Sequence, residues 1–153
     1  MGLTELLQIV ALALLAVGAG VSVVIQQALN ADLRVSLGSA SWAALSSYLV
    51  GSLTLAVVLL VMREPWVSTA AVAKSSAWSW TGGVFGTIYI VVSILLLPHL
   101  GAATVVALLV TGQMLGSLVF DHYGLFGLTP HSFDLFRLTG AALLIAGVVL
   151  IRH

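Results

Sequence analysis

Five stretches of this chain are each long and apolar enough to cross a bilayer, and no fold that must present a polar face to water accommodates them. A hydrocarbon core of about 30 Å needs roughly 20 apolar residues per helix. The expected spans are residues 5–29, 41–62, 77–97, 102–120 and 135–151. Between them lie turn and polar signals: Asn30 to Arg34 with Gly38-Ser39, Arg63-Glu64-Pro65 through Lys74, Pro98 to Gly101, and Asp121 through Asp134 with Gly124, Gly127 and Pro130. Such short connections leave no room for an extramembrane domain, so the expected class is an all-α integral membrane protein with one five-helix domain over 1–153. Composition agrees, with 61% hydrophobic and 7% charged residues against about a quarter charged in a soluble domain.

Charge is balanced at five Lys plus Arg and five Asp plus Glu, so no basic excess points to nucleic acid. The absence of cysteine excludes disulfides and thiolate metal sites. His99, His122, His131 and His153 lack metal-ligand spacing, so neither metal nor cofactor is expected. The start Met-Gly-Leu-Thr-Glu-Leu has no basic n-region, so the first span is expected to be retained. Leu6 stands where myristoylation needs Ser or Thr.

Five spans place the termini on opposite sides. Arg34 and Arg152 then fall on one side, called A, and Arg63, Lys74 and Arg137 on the other, called B. Three against two is a weak bias under the positive-inside rule. A chain inserted both ways would supply two inverted halves, the arrangement that alternating access uses around a midplane site. The simpler alternative is a single orientation with side B cytoplasmic. No internal duplication is visible, so an inverted partner would be a second chain.

Polar residues inside spans are costly and usually face protein or a cavity. In the first span Ser22, Gln26 and Asn30 recur at intervals of four, in line with Gly18 and with Gln8 further back. In the fourth, Gln113 lies near the midpoint, Ser117 and Asp121 follow at the same interval, and Gly112 and Gly116 run alongside. Gln113 is the first choice for a substrate contact, with an interhelical hydrogen bond as the competing role. The third span contributes Gly82 and Gly86 for close helix packing, and Tyr89, whose hydroxyl needs a partner. Trp78 and Trp80 near its start fit an aromatic belt or ligand stacking. The second carries Ser46, Ser47, Tyr48, Ser52 and Thr54, a weak signal because hydroxyls can bond to their own helix. The fifth is apolar between Arg137 and Arg152 and suits packing or a subunit contact. No carboxylate lies in mid-span; Asp121 with His122 is the candidate titrating or gating pair at the side-B mouth, or a structural cap.

Val23 to Asn30, Trp80 to Gly86, Gly101-Ala-Ala-Thr through Gly112-Gln113 to Asp121, His122 to Gly127 and Arg137-Leu-Thr-Gly140 together resemble the small YdcZ-type branch of the drug/metabolite transporter (DMT) superfamily. The resemblance covers nearly the whole chain. It implies a five-helix half of the ten-helix EamA-like fold, completed by an antiparallel homodimer in the inner membrane. It also implies that Gln26, Asn30, Trp80, Gln113 and Asp121 occupy family positions. The expected function is export of a small organic metabolite or drug-like compound by alternating access. Ser22, Gln26, Asn30, Tyr89, Trp80 and Gln113 are the expected substrate contacts, and lipid and a small-molecule substrate the expected partners. The absence of a mid-span carboxylate favours a neutral or zwitterionic ligand, or a cation held by amides and aromatic faces. The alternative is a non-transporting membrane partner or scaffold subunit. A channel would need a filter or ring of charge, and an enzyme a nucleophile beside a base; neither stands out.

Overall fold

A computed structural model describes residues 2–152. It is all-helical, with no strand among the described residues. The elements are α1 (Leu3–Leu37), α2 (Ala40–Met62), the short α3 (Thr69–Lys74), α4 (Gly82–Leu100), α5 (Ala102–Tyr123) and α6 (Leu135–Arg152). A 3-10 turn over Ala77–Thr81 leads into α4, and a second over Leu125–Gly127 follows α5. Five of these helices are long and apolar enough to span a membrane, the 3-10 turn and α4 counting as one.

The helix ends are set by local chemistry. α1 runs past the expected end at Leu29 to Leu37, because no residue of Asn30 to Arg34 breaks a helix, and stops at Gly38 with φ 66°. At 1.5 Å per residue its 35 residues extend about 50 Å, more than a bilayer core requires. Ser39 starts α2, its Oγ accepting the Trp42 N–H at 3.3 Å. That helix ends where Arg63 takes φ 53° and its N–H reaches the Leu60 carbonyl, while Glu64 N–H bonds the Leu59 carbonyl at 3.0 Å. Pro98 does not end α4, which continues to Leu100 before Gly101 turns at φ 76°.

Contacts divide the chain into two compact units, residues up to Pro98 and residues from His99 onward. In the first, α1 packs on α2, and Ala43, Ala44, Ile90 and Ile94 form a core backed by Leu33, Ala40, Tyr89 and Val91. Small residues on α2 allow close approach of its neighbours. At Gly86 an added Cβ would lie 2.7 Å from the Tyr48 hydroxyl, so a larger residue there would displace the end of that exposed side chain. In the second unit α5 packs on α6. There Gly124 turns the chain at φ 60° against Pro130, whose Cγ would meet an added Cβ at 2.8 Å. Outward-facing positions are apolar along both units, including Leu7, Leu14, Leu53, Leu60, Phe85 and Leu143. In lipid such exposure carries no hydrophobic penalty, since the surrounding tails are as apolar as leucine.

Candidate functional site

The polar side chains of the first unit converge where α1 meets α2 and α4. Gln27, only 2% exposed, donates from Nε2 to the Tyr89 hydroxyl at 2.8 Å, while its Oε1 is buried without a partner. Buried Asn30 donates from Nδ2 to Ser47 Oγ at 3.3 Å, and Gln26 Nε2 reaches the same hydroxyl at 3.2 Å. One turn further along α1, Arg34 Nη1 donates to the main-chain carbonyl of Ile94 at 3.2 Å. That carbonyl stands four residues before Pro98, which has no N–H to offer it. Arg34 therefore closes a backbone vacancy that proline opens.

The inward face of α1 is thus Gln27, Asn30 and Arg34, with Gln26 at its rim. Ser22 points outward and satisfies itself on the Ala19 carbonyl at 2.7 Å. Helical geometry accounts for the difference: at about 100° per residue a four-residue interval drifts about 40° each time, whereas alternating three and four holds one face. Sequence reasoning therefore missed Gln27, Ser47 and Arg34. The available signals were the 27, 30, 34 spacing and a proline inside a span.

Elsewhere hydroxyls bond to their own helix. Ser93, Thr54, Thr87, Thr111 and Thr139 each donate to the carbonyl four residues back, as does Ser117 to Gln113. Trp80 is exposed with its indole N–H on Ser75 Oγ at 2.8 Å, and Trp78 is exposed beside it. Both suit the interface between lipid and water.

In the second unit Gln113 is an exposed side chain on α5. Added Cβ atoms at Gly112 and Gly116 would meet no atom of that unit within 4 Å, and Gly82 is equally open within the first. Of these glycines Gly86 alone is tightly packed. At the end of α5, Asp121 Oδ2 accepts from Arg137 Nη1 at 3.2 Å, and Arg137 Nε lies 3.5 Å from Asp134. Asp134 also caps α6, its Oδ1 accepting the Arg137 N–H at 2.7 Å. The His122 ring stacks on Phe133 with centroids 4.2 Å apart, and its Nδ1 is buried without a partner. A recess of about 260 Å³ opens beside the ion pair, lined by Met114, Ser117, Leu118, Gly140 and Ala141. His153 lies outside the described residues. No group of three or more metal-binding side chains occurs among the described ones.

Five helices long and apolar enough to span a bilayer, with outward side chains that are apolar, define a multi-pass membrane protein. Residues 11–150 match the family model described as "Putative inner membrane exporter, YdcZ". The chain belongs to this DMT-type family, a transporter family rather than an enzyme family, and is a multi-pass protein of the inner membrane. It is 31% identical over 140 residues to inner membrane protein YdcZ of Escherichia coli (strain K12), covering 90% of this chain and 91% of that one. No solved structure matches.

Proposed function

We propose that the chain is a single five-helix transmembrane domain that exports a small organic molecule by alternating access, working as an antiparallel homodimer. The observation that carries the reading is the inward polar face of α1, with buried Gln27 and Asn30, inside a chain whose outward side chains are apolar. Buried amides in a span mark substrate paths more often than lipid contacts. The family description supports export. The three-to-two split of Lys and Arg supports insertion in both orientations. Two inverted copies would supply the inverted repeats that alternating access uses.

Substrate contacts are assigned to Gln26, Asn30 and Tyr89 in the first unit, with Ser22 and Trp80 at its periphery, and to Gln113 in the second. Asp121 and His122 are assigned to gating at the side-B mouth, where Arg137 would exchange between Asp121 and Asp134. Gly82, Gly112 and Gly116 are assigned to contacts between copies.

The test uses proteoliposomes loaded with a total water-soluble metabolite extract and analysed by mass spectrometry after dilution. At least one component should be depleted faster than from protein-free vesicles, and Gln113→Ala should abolish its depletion without unfolding the protein. Equal retention of every component in both preparations would remove the transport reading and leave the scaffold role.

A further inference from the structure

From the geometry around Arg34 we infer that the transported molecule carries a carboxylate, and that this guanidinium is its recognition group. The inference rests on the export reading and names the substrate class of that site.

Arg34 is half-buried and reaches into the first unit, where Nη1 donates to the carbonyl of fully buried Ile94. Ile94 lies six residues before the end of α4, about 9 Å along the helix. The guanidinium is thereby turned toward protein instead of extending to water as a long basic side chain near a helix end ordinarily does. Among the described residues it pairs with no carboxylate, and both ion pairs found there belong to Arg137. A guanidinium turned into the helix packing with no anion beside it is expensive, and such a group at the end of a span is characteristic of an ion or substrate path.

The chemistry of the remaining donors selects the ligand. Guanidinium offers five N–H groups in a rigid plane. With Nη1 held by Ile94, the Nε–H and Nη2–H edge donates to no protein atom among the described residues. That edge matches the two oxygens of a carboxylate in a bidentate fork. One guanidinium balances one negative charge, whereas a phosphate dianion would be left half-neutralised. Asn30 and Gln27 lie one and two turns back on the same face, buried and already bonded to Ser47 and Tyr89, so Arg34 is the group of this face with donors left for a ligand. Pro98 has a part in this arrangement: it frees the carbonyl that holds the guanidinium in place.

The test measures melting temperature of purified protein in detergent with benzoate, benzamide and benzylamine, and with leucine and leucinamide. Benzoate or leucine should raise Tm saturably, with no comparable effect of the amides or the amine. Arg34→Gln should raise the half-saturating concentration at least tenfold, and Arg34→Lys, which keeps charge but loses the fork, should fall between. Pro98→Ala separates binding from backbone capping, because alanine returns an N–H to the Ile94 carbonyl. The double variant Pro98→Ala, Arg34→Gln should melt near the parent yet stay insensitive to carboxylates. The inference is overturned if neither carboxylate raises Tm, if an amide or the amine does so equally, if Arg34→Gln responds as the parent does, or if Pro98→Ala restores the response. Carboxylates that bind through Arg34 but never leave loaded vesicles would refute export alone. Selective loss of amines or neutral compounds from the vesicles would refute the carboxylate alone.

Discussion

Replacing Tyr89 by phenylalanine should cost more than replacing both members of its hydrogen-bonded pair. Among the described residues Tyr89 is the sole side-chain partner of Gln27, whose Nε2 donates to it at 2.8 Å and whose Oε1 is already unpaired. Tyr89→Phe leaves the whole amide unpaired at a position 2% exposed, where water cannot replace the lost bond. An orphaned buried polar group costs about 1–3 kcal/mol. Interhelical bonds in membranes average a lower value, about 0.6 kcal/mol with a maximum near 1.7, because the separated helices find other partners. The expected loss for Tyr89→Phe is therefore about 1–1.5 kcal/mol, roughly a tenfold change in the unfolding equilibrium. Gln27→Leu with Tyr89→Phe exchanges both partners for apolar groups and should recover most of that loss. Reversible unfolding in mixed micelles, run as a double-mutant cycle with Gln27→Leu alone, measures the coupling. Strictly additive effects, or a Tyr89→Phe variant as stable as the parent, would refute the claim that α1 and α4 are joined by this bond.

Gly86→Ala should push the exposed Tyr48 ring aside and change stability by less than about 1 kcal/mol, because its Cβ would lie 2.7 Å from the hydroxyl at the end of that side chain while alanine gains helix propensity. Tyr48→Phe should remove the need for that shift, as the next ring atom, Cζ, is 3.8 Å away; unfolding of the single and double variants checks both. Asp121→Asn should cost under about 1 kcal/mol and lose its effect in high salt, since both partners of the ion pair are about one-third exposed and Asp134 still faces Arg137. Single cysteines near the two termini, labelled from outside intact cells, should each react in part. Two lysines added to the side-A or side-B loops should fix orientation, with export lost from either form alone and regained on co-expression. Full export by one fixed form would rule out the antiparallel pair.

The five spans and the all-helical class were legible in the sequence because length and apolarity in a bilayer leave few alternatives. Helix ends were less so: Asn30 to Arg34 looks like a loop by polarity, yet these residues continue α1 and supply Asn30 and Arg34 to its inward face. Polarity marks a face toward protein as readily as an exit from the membrane. Gln26 and Gln27 could not be separated by composition, and the four-residue spacing found Asn30 on the inward face but chose Gln26 at its rim over Gln27. The partnership of Arg34 with Ile94 spans 60 positions and depends on how α1 and α4 pack. Only the missing N–H of Pro98 advertised that an acceptor would need a donor.

Exchange across the membrane tests the transport account most directly. Proteoliposomes holding the depleted component in labelled form should release it in a saturable manner, and faster when the unlabelled compound is supplied outside, because a carrier returns more quickly loaded than empty. Gln113→Ala should abolish this stimulation. Release that neither saturates nor responds to outside compound would indicate a passive pore, and no protein-dependent release at all would contradict the account at its centre.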